Sequence, residues 1–449
     1  MHDPLRLLAA LTAAGPSAAP ELCARLGISQ PSFSRLVREA GGGLLRVGRA
    51  RSTRYAARRE VLAVEAPIRV YDVSEGTRAL CDLHPVAPSG FYVEPLCEDV
   101  DPGFHADLPW FLHDLRPAGF LGRLAPRRHP ELGLPEDVLR WSGDQVLRYL
   151  TVAGSNLVGA LVVGEQAWVR WAEQARAPAD LVRSEHRAEA YGRLASDVLA
   201  HGPAGSSAGG EQPKFAVSRV AGEEAVPVLV KFSPPVASPE AERVADLLVA
   251  EHLTHRVLAE HGQSSGRSEL VFGSDRVFLE VERFDRVGPA RRRGLLSLAA
   301  LDAEYVGSDL RSWSSSTAAL VRLGLVGADA HRDTRWLERF GGLIANSDRH
   351  FGNLSFFARG ARVTGLAPAY DMLPMAYRPV QGELVDRPLL PPLPGPADAD
   401  VARGAWTAAV DLWARVAADD RVSAGFRRIA AENVDAVAAI RSVVDQLPG

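Results

Sequence analysis

Lysine is almost missing from this 449-residue chain: Lys214 and Lys231 stand against 49 arginines. Nearly every cation is a planar fork, so the two compact ammonium groups mark places where the two types are not interchangeable, above all against phosphate. Cysteine is scarce too. Cys23, Cys81 and Cys97 are odd in number, far apart and never in C-x-x-C spacing. That argues against a disulfide framework or a cysteine zinc site and fits a reducing compartment. No apolar run approaches the roughly 18 residues of a membrane span. Leu7–Ala14 has the outline of a signal peptide, but Asp3 and the lone Arg6 ahead of it suit an amphipathic helix. The expectation is a soluble, cytoplasmic protein without membrane contact. At 47% hydrophobic and 24% charged residues the composition is globular, and the length exceeds one ordinary domain. A net charge of −4 excludes a general polyanion binder.

The charge is unevenly spread. Residues 1–60 hold ten arginines against Asp3, Glu21, Glu39 and Glu60. Pro4–Ala14 reads as a helix with Leu5, Leu8 and Leu11 on one face. Ala19–Leu26 reads as a second, ended by Gly27 as a left-handed cap. Ser29 then N-caps a third, with Phe33 and Leu36 inward and Arg35 and Arg38 outward. Leu44–Tyr55 alternates arginine with apolar or small residues about Gly48, the pattern of a β-hairpin wing. Together these predict a winged helix-turn-helix over residues 1–62. Gln30, Ser32 and Arg35 would face base edges, and Arg49, Arg51 and Arg54 the DNA backbone. The other reading is a small three-helix module that binds protein, its arginines merely solvated.

The two lysines lie 17 residues apart. Lys214 closes a glycine-rich segment, Gly202–Lys214, in which Gly209 and Gly210 would let backbone N–H groups approach phosphates. The segment is neither a Walker A sequence nor G-x-G-x-x-G, and alone it reads equally well as a solvent loop. Lys231 ends the apolar run Val226–Val230 and needs a negative partner, unless it snorkels to water. A helix follows, capped by Ser238 and running to about His261. Within it Glu251, among leucines, is a better partner for Lys231 than Glu242; such a Lys–Glu pair fixes the ammonium toward ATP phosphates in kinases. Val277–Phe284 reads as a strand leaving the small sheet, where an adenine could meet backbone groups.

The sharpest segment is Asn346-Ser347-Asp348-Arg349-His350-Phe351-Gly352-Asn353. Asp348 and Asn353 carry the D-x-x-x-x-N spacing of a kinase catalytic loop, with Asp348 aligning or deprotonating a hydroxyl and Asn353 binding magnesium. Asp371, after the mostly apolar 363–369 stretch, would be the second ligand of Mg²⁺. The spacing recurs by chance in loops; the order glycine-rich loop, Lys, helix Glu, D-x-x-x-x-N, Asp is much more specific. His350, with no paired histidine nearby, reads as structural rather than as a metal ligand.

Five segments resemble the HipA family of bacterial serine/threonine protein kinases: Gly209–Lys214, Val228–Lys231, Glu282-Arg283-Phe284-Asp285-Arg286, Asn346–Asn353 and Tyr370-Asp371. The basic N-terminal module points to its YjjJ-type branch. The resemblance covers roughly residues 66–449 and implies an α+β, protein-kinase-like two-lobed fold behind the small winged domain. The expected divisions are 66–195 for an N-terminal subdomain, 196–286 for an ATP-binding part and 287–449 for a helical lobe. It also implies that Lys231 holds the α/β-phosphates, that Asp348 is the catalytic base, and that Asn353 and Asp371 bind Mg²⁺. Glu282 to Phe284 would meet the adenine. A loop serine, Ser206 or Ser207, would be autophosphorylated and switch the kinase off. The implied partners are ATP, a protein of the translation machinery such as an aminoacyl-tRNA synthetase, and an antitoxin that the N-terminal module could replace. Two other readings stay open: a DNA-binding regulator whose kinase-like part senses nucleotide, and a small-molecule phosphotransferase. The Pro388–Pro396 stretch reads as a connector, and 401–447 as two or three core helices packed through Trp406 and Trp413.

Overall fold

The computed structural model describes residues 3–447, apart from 177–180, 201–211, 223, 274, 289–290, 311 and 386. Ser206, Ser207, Gly209 and Gly210 therefore lie outside the described residues.

At the N-terminus, helices α1 (Pro4–Ala14), α2 (Ala19–Leu26) and α3 (Gln30–Ala40) pack on a sheet of β1 (Ser17–Ala18), β2 (Leu44–Val47) and β3 (Arg54–Ala57), ordered β1-β3-β2. Local chemistry sets the boundaries. Asp3 accepts from the Leu5 amide at 2.9 Å, Gly27 stops α2 at φ +64°, and Ser29 accepts from the Ser32 amide. The inner face of α1 is Leu7 and Leu11, one helical turn apart and fully buried, whereas Leu5 is 68% exposed. The expected trio of Leu5, Leu8 and Leu11 has the wrong phase, because a helix buries i and i+4 together over Leu22, Phe33 and Leu36. Between β2 and β3 the chain turns through Gly48, where a Cβ would meet the Ser52 carbonyl oxygen at 2.5 Å.

The small sheet uses both faces. Leu44, Tyr55 and Ala57 join the helices, while Leu45 and Ala56 pack on Val86 beside Tyr92 and Phe104 of the next region. That region is an antiparallel sheet of β4 (Ile68–Asp72), β5 (Arg78–Pro85), β6 (Phe91–Pro95), β7 (Gly103–His105) and β8 (Leu161–Val163), ordered β7-β6-β5-β4-β8. Its helices are α4 (Gly119–Arg123), α5 (Ala125–Arg128), α6 (Gly143–Ala153) and α7 (Glu165–Arg176).

A second five-stranded sheet follows, ordered β12-β13-β11-β10-β9: β9 (Leu181–Arg183), β10 (Lys214–Ala221), β11 (Glu224–Phe232), β12 (Ser268–Phe272) and β13 (Val277–Glu282). Strand alternation gives it two apolar faces. Val228, Val230, Phe232 and Phe278 pack under α8 (Arg187–Ala200), and Val277 and Leu279 under α9 (Pro239–Glu260). Ser238 caps α9, as its Ser-Pro start predicts. Beyond β13 come a short hairpin, β14 (Arg286–Val287) with β15 (Arg291–Arg292), and the helical part. The latter holds β16 (Gly294–Ser297), α10 (Leu298–Tyr305), α11 (Trp313–Arg322), α12 (Ala328–Leu343), β17 (Ser355–Arg359), β18 (Arg362–Leu366), α13 (Ala399–Ala418), α14 (Ala424–Ala439) and α15 (Arg441–Asp445). Trp413 is fully buried and donates to the Leu343 carbonyl at 3.1 Å, and Trp406 donates to the Val437 carbonyl at 2.8 Å, so both tryptophans pack helices together. No helix among the described residues is long and apolar enough to cross a membrane.

Candidate functional site

The sheet brings the two lysines together. Lys214 and Lys231 are direct cross-strand partners in the β10–β11 pair, so both ammonium groups rise from one face of the sheet. Lys231 is 4% exposed. It donates to Glu251 Oε1 on α9 at 2.6 Å and also to the Asp371 carboxylate. Glu242 takes no part in this contact. Burial alone would pull the Lys231 ammonium down, but Asp371 and Glu251 outweigh it and hold the group above the ordinary lysine range. Burial pushes the Glu251 carboxyl up despite Lys231. The Asp371 carboxyl, with its side chain 30% exposed, is instead held well below the usual range: burial opposes this, and Lys231, then Lys214, overcome it.

Asp371 adopts φ +53° and Ala345 φ +58°, left-handed conformations that cost a non-glycine residue energy and cluster at working sites. Asn346 explains how the two segments meet. Its Oδ1 accepts from the Asp348 amide at 3.0 Å, while its Nδ2 points at the Asp371 carbonyl at 3.5 Å. Asn353 Nδ2 donates to the Asp348 carbonyl at 2.8 Å, and His350 Nδ1 accepts from the Gly352 amide, which is a structural role for this histidine. Tyr370 donates from its hydroxyl to the Gly352 carbonyl at 2.6 Å and shares a 2.7 Å bond with Ser355. The loop is thus closed on itself, with Asp348 exposed and Asn353 buried.

Beside them lies a cleft of about 860 Å³, lined by Lys214, Lys231, Glu251, His255 and Glu282 to Asp285 on one side and by Gly352, Ser355 and Tyr370 on the other, whereas Asp348, Asn353 and Asp371 are not among its lining residues. Phe284 faces into it and lies against Tyr370, with ring centroids 5.7 Å apart. The expectation that backbone groups of Glu282 to Phe284 meet an adenine needs correcting in part. The Glu282 amide donates to the Arg267 carbonyl at 2.8 Å and the Arg283 amide to the Pro227 carbonyl at 3.0 Å, so strand pairing has taken both donors. Phe284 lines the cleft together with Glu282 and Arg283.

The rest of Glu282–Arg286 is a clamp that sequence reasoning missed. Asp285, 4% exposed, accepts from Arg283 at 2.8 Å, from Arg286 at 2.6 Å and from the Gly159 amide at 3.0 Å. The two guanidiniums also reach the Leu157 carbonyl. Burial works against the Asp285 carboxylate, but Arg283 and Arg286 hold it at about 2. The motif therefore ties the loop after α6 to the strand that leaves the sheet. His255, one turn beyond Glu251, was also missed. It is 3% exposed with neither ring nitrogen bonded, and burial lowers it to about 3. Its i,i+4 spacing from Glu251 was the available signal.

In the N-terminal module Arg35, Arg49 and Arg51 are exposed, and Arg54 is exposed beside Glu21 at 3.6 Å. Ser32 does not present itself as expected. It is half-buried, with its hydroxyl 3.1 Å from that of Ser29 in the helix cap. Gln30 is exposed, its Oε1 accepting from the Cys23 thiol at 3.4 Å.

A small sheet with a buried Lys–Glu pair, joined to a helical part that presents an Asp–Asn loop, defines a protein-kinase-like fold. The particular family follows from comparison with known proteins. Residues 206–444 match the HipA-like C-terminal domain, and residues 64–172 match the middle domain of YjjJ-like toxins. Toxin YjjJ of Escherichia coli (strain K12) is 38% identical over 443 residues, 97% of this chain and 98% of the relative. The chain belongs to the HipA-like toxin family. Among solved structures, the Shewanella oneidensis MR-1 toxin–antitoxin system of HipA, HipB and its operator DNA contains a chain with a TM-score of 0.50 at 13% identity. The match covers 85% of this chain and 99% of that one and is a likeness of fold.

Proposed function

We propose that the chain is an ATP-dependent serine/threonine protein kinase of the HipA type that carries a DNA-binding winged helix in residues 1–62. The observation that supports this most is the contact of Lys231 with Glu251 and Asp371 at the rim of a cleft that also borders the Asp348–Asn353 loop. Lys231, already charged and aimed by Glu251, would hold the α/β-phosphates of ATP. A hydroxyl held at Asp348 would attack the γ-phosphorus and lose its proton toward that carboxylate, and the bond from the γ-phosphorus to the bridging oxygen of ADP would break. Asp371 and Asn353 suit Mg²⁺, which takes one or two carboxylates plus phosphate oxygens. Among the described residues no three carboxylate, histidine or cysteine groups converge on one point, and phosphate oxygens of ATP would complete the shell. The ion, when bound, neutralises charge on the phosphates. Asp371 now spends its charge on Lys231, so nucleotide entry would exchange that pair for phosphate against Lys231.

Mass spectrometry after incubation with ATP and Mg²⁺, comparing wild type with Asp348→Asn, tests this. Phosphate on Ser206 or Ser207 in the wild type alone supports the kinase and its off-switch. Its absence from both, with ATP still bound, favours a DNA-binding regulator that senses nucleotide. That second reading draws support from the packing of the basic module on the next region through Leu45, Ala56 and Val86. The protein substrate would be a translation protein, and DNA and an antitoxin would be the further partners.

A further inference from the structure

The basic module is not tethered but bolted on, and the bolt sits on a helix that ends in the cleft. Arg59 forks onto Asp144 at 2.6 and 2.8 Å and donates to the Val86 and Gly90 carbonyls at 3.0 and 3.1 Å. The pair is partly buried, at 17% and 29% exposure, where a bidentate contact is worth more than on the surface. Asp144 lies in the first turn of α6, whose positive dipole end favours it. Gly143 beside it packs so tightly that a Cβ would meet Asp107 Oδ1 at 2.2 Å, and Asp107 bonds Arg116, which lines the cleft. At the other end of α6, Tyr149 and Ala153 line the cleft, and the loop beyond is gripped by Asp285 and Arg286.

We propose that Arg59 and Asp144 are positioning residues for the nucleotide cleft. Through α6, the docked module holds the cleft's middle-domain wall and the 154–159 loop in place, so nucleotide affinity depends on a contact made by the DNA-binding module. The inference rests on the reading of the cleft as a nucleotide site.

The test uses the full chain with ADP and Mg²⁺ in calorimetry, and hydrogen exchange across 154–159. Asp144→Asn is expected to raise the dissociation constant about five-fold and to speed exchange in that loop. Arg59→Lys, which keeps the charge but not the fork, should do the same if Asp144→Asn folds poorly. Asp82→Asn breaks a comparable fork, Arg69–Asp82 at 2.9 Å on the β4–β5 pair, and should leave affinity unchanged. Affinity in both pair variants within about two-fold of wild type, or an equal loss in Asp82→Asn, overturns the inference while the nucleotide reading stands. A wild type that binds no ADP removes both.

Discussion

The two charged regions of this protein are built on opposite rules. In the N-terminal module the arginines that would meet DNA stand exposed on α3 and the wing. Around the cleft, Lys231 is held by Glu251 and Asp371 in partial or full burial, so removing the ammonium leaves carboxylates without their countercharge. Exposed charge is held ready for a partner. Buried charge must find its partners inside the molecule first, because desolvation leaves an unpaired ion far too costly.

Lys231→Met should break the contrast most severely. It removes phosphoryl transfer and leaves two carboxylates facing each other, with a loss of about 3–5 kcal/mol in denaturant melts. An unchanged melting midpoint would mean that water reaches the pair. Asp348→Asn should separate chemistry from stability. Phosphate incorporation should fall about 10²–10⁴-fold with no change in melting, since Asp348 is exposed. Asp285→Asn leaves the half-buried Arg283 and Arg286 without their countercharge, and a loss of about 3 kcal/mol is expected in urea unfolding. Arg35→Ala is expected to weaken DNA binding about ten-fold if the side chain reads a base, and to alter no other property. Arg51→Ala should instead flatten the salt dependence of DNA binding by about one contact, measured by titration at several salt concentrations.

The last prediction concerns pH. His255 stays neutral in the fold to about pH 3, whereas the unfolded chain takes up its proton near 6.5. The unfolded state therefore binds more protons between these values, and stability falls as pH drops through that window. His255→Leu should make melting temperature less steep in pH over that range. Equal slopes would show that the ring is protonated in the fold.

Much of the fold is legible in the residues. Ser29, Gly27 and Ser238 mark helix ends where caps and left-handed stops are found, because capping is decided by neighbours a few positions away. Glu251 could be preferred over Glu242 because it sits among leucines, hence on a buried face. The errors share a cause. The phase of α1, the half-buried Ser32 and the occupied amides of Glu282 and Arg283 each depend on which face or group another element covers, and no local pattern carries that information.

The sequence by itself determined the kinds of element, their order, and the residues able to do chemistry at phosphates. Those follow from short-range sterics, capping and the period of apolar residues. Only the tertiary structure decided the rest: that the two lysines face each other across β10 and β11, that Asn346 ties Asp348 to Asp371, that Glu282–Arg286 is a clamp, and that Arg59 anchors the basic module to Asp144. Each is a contact between residues distant in the chain, set by strand register and by the need of buried charge for a partner.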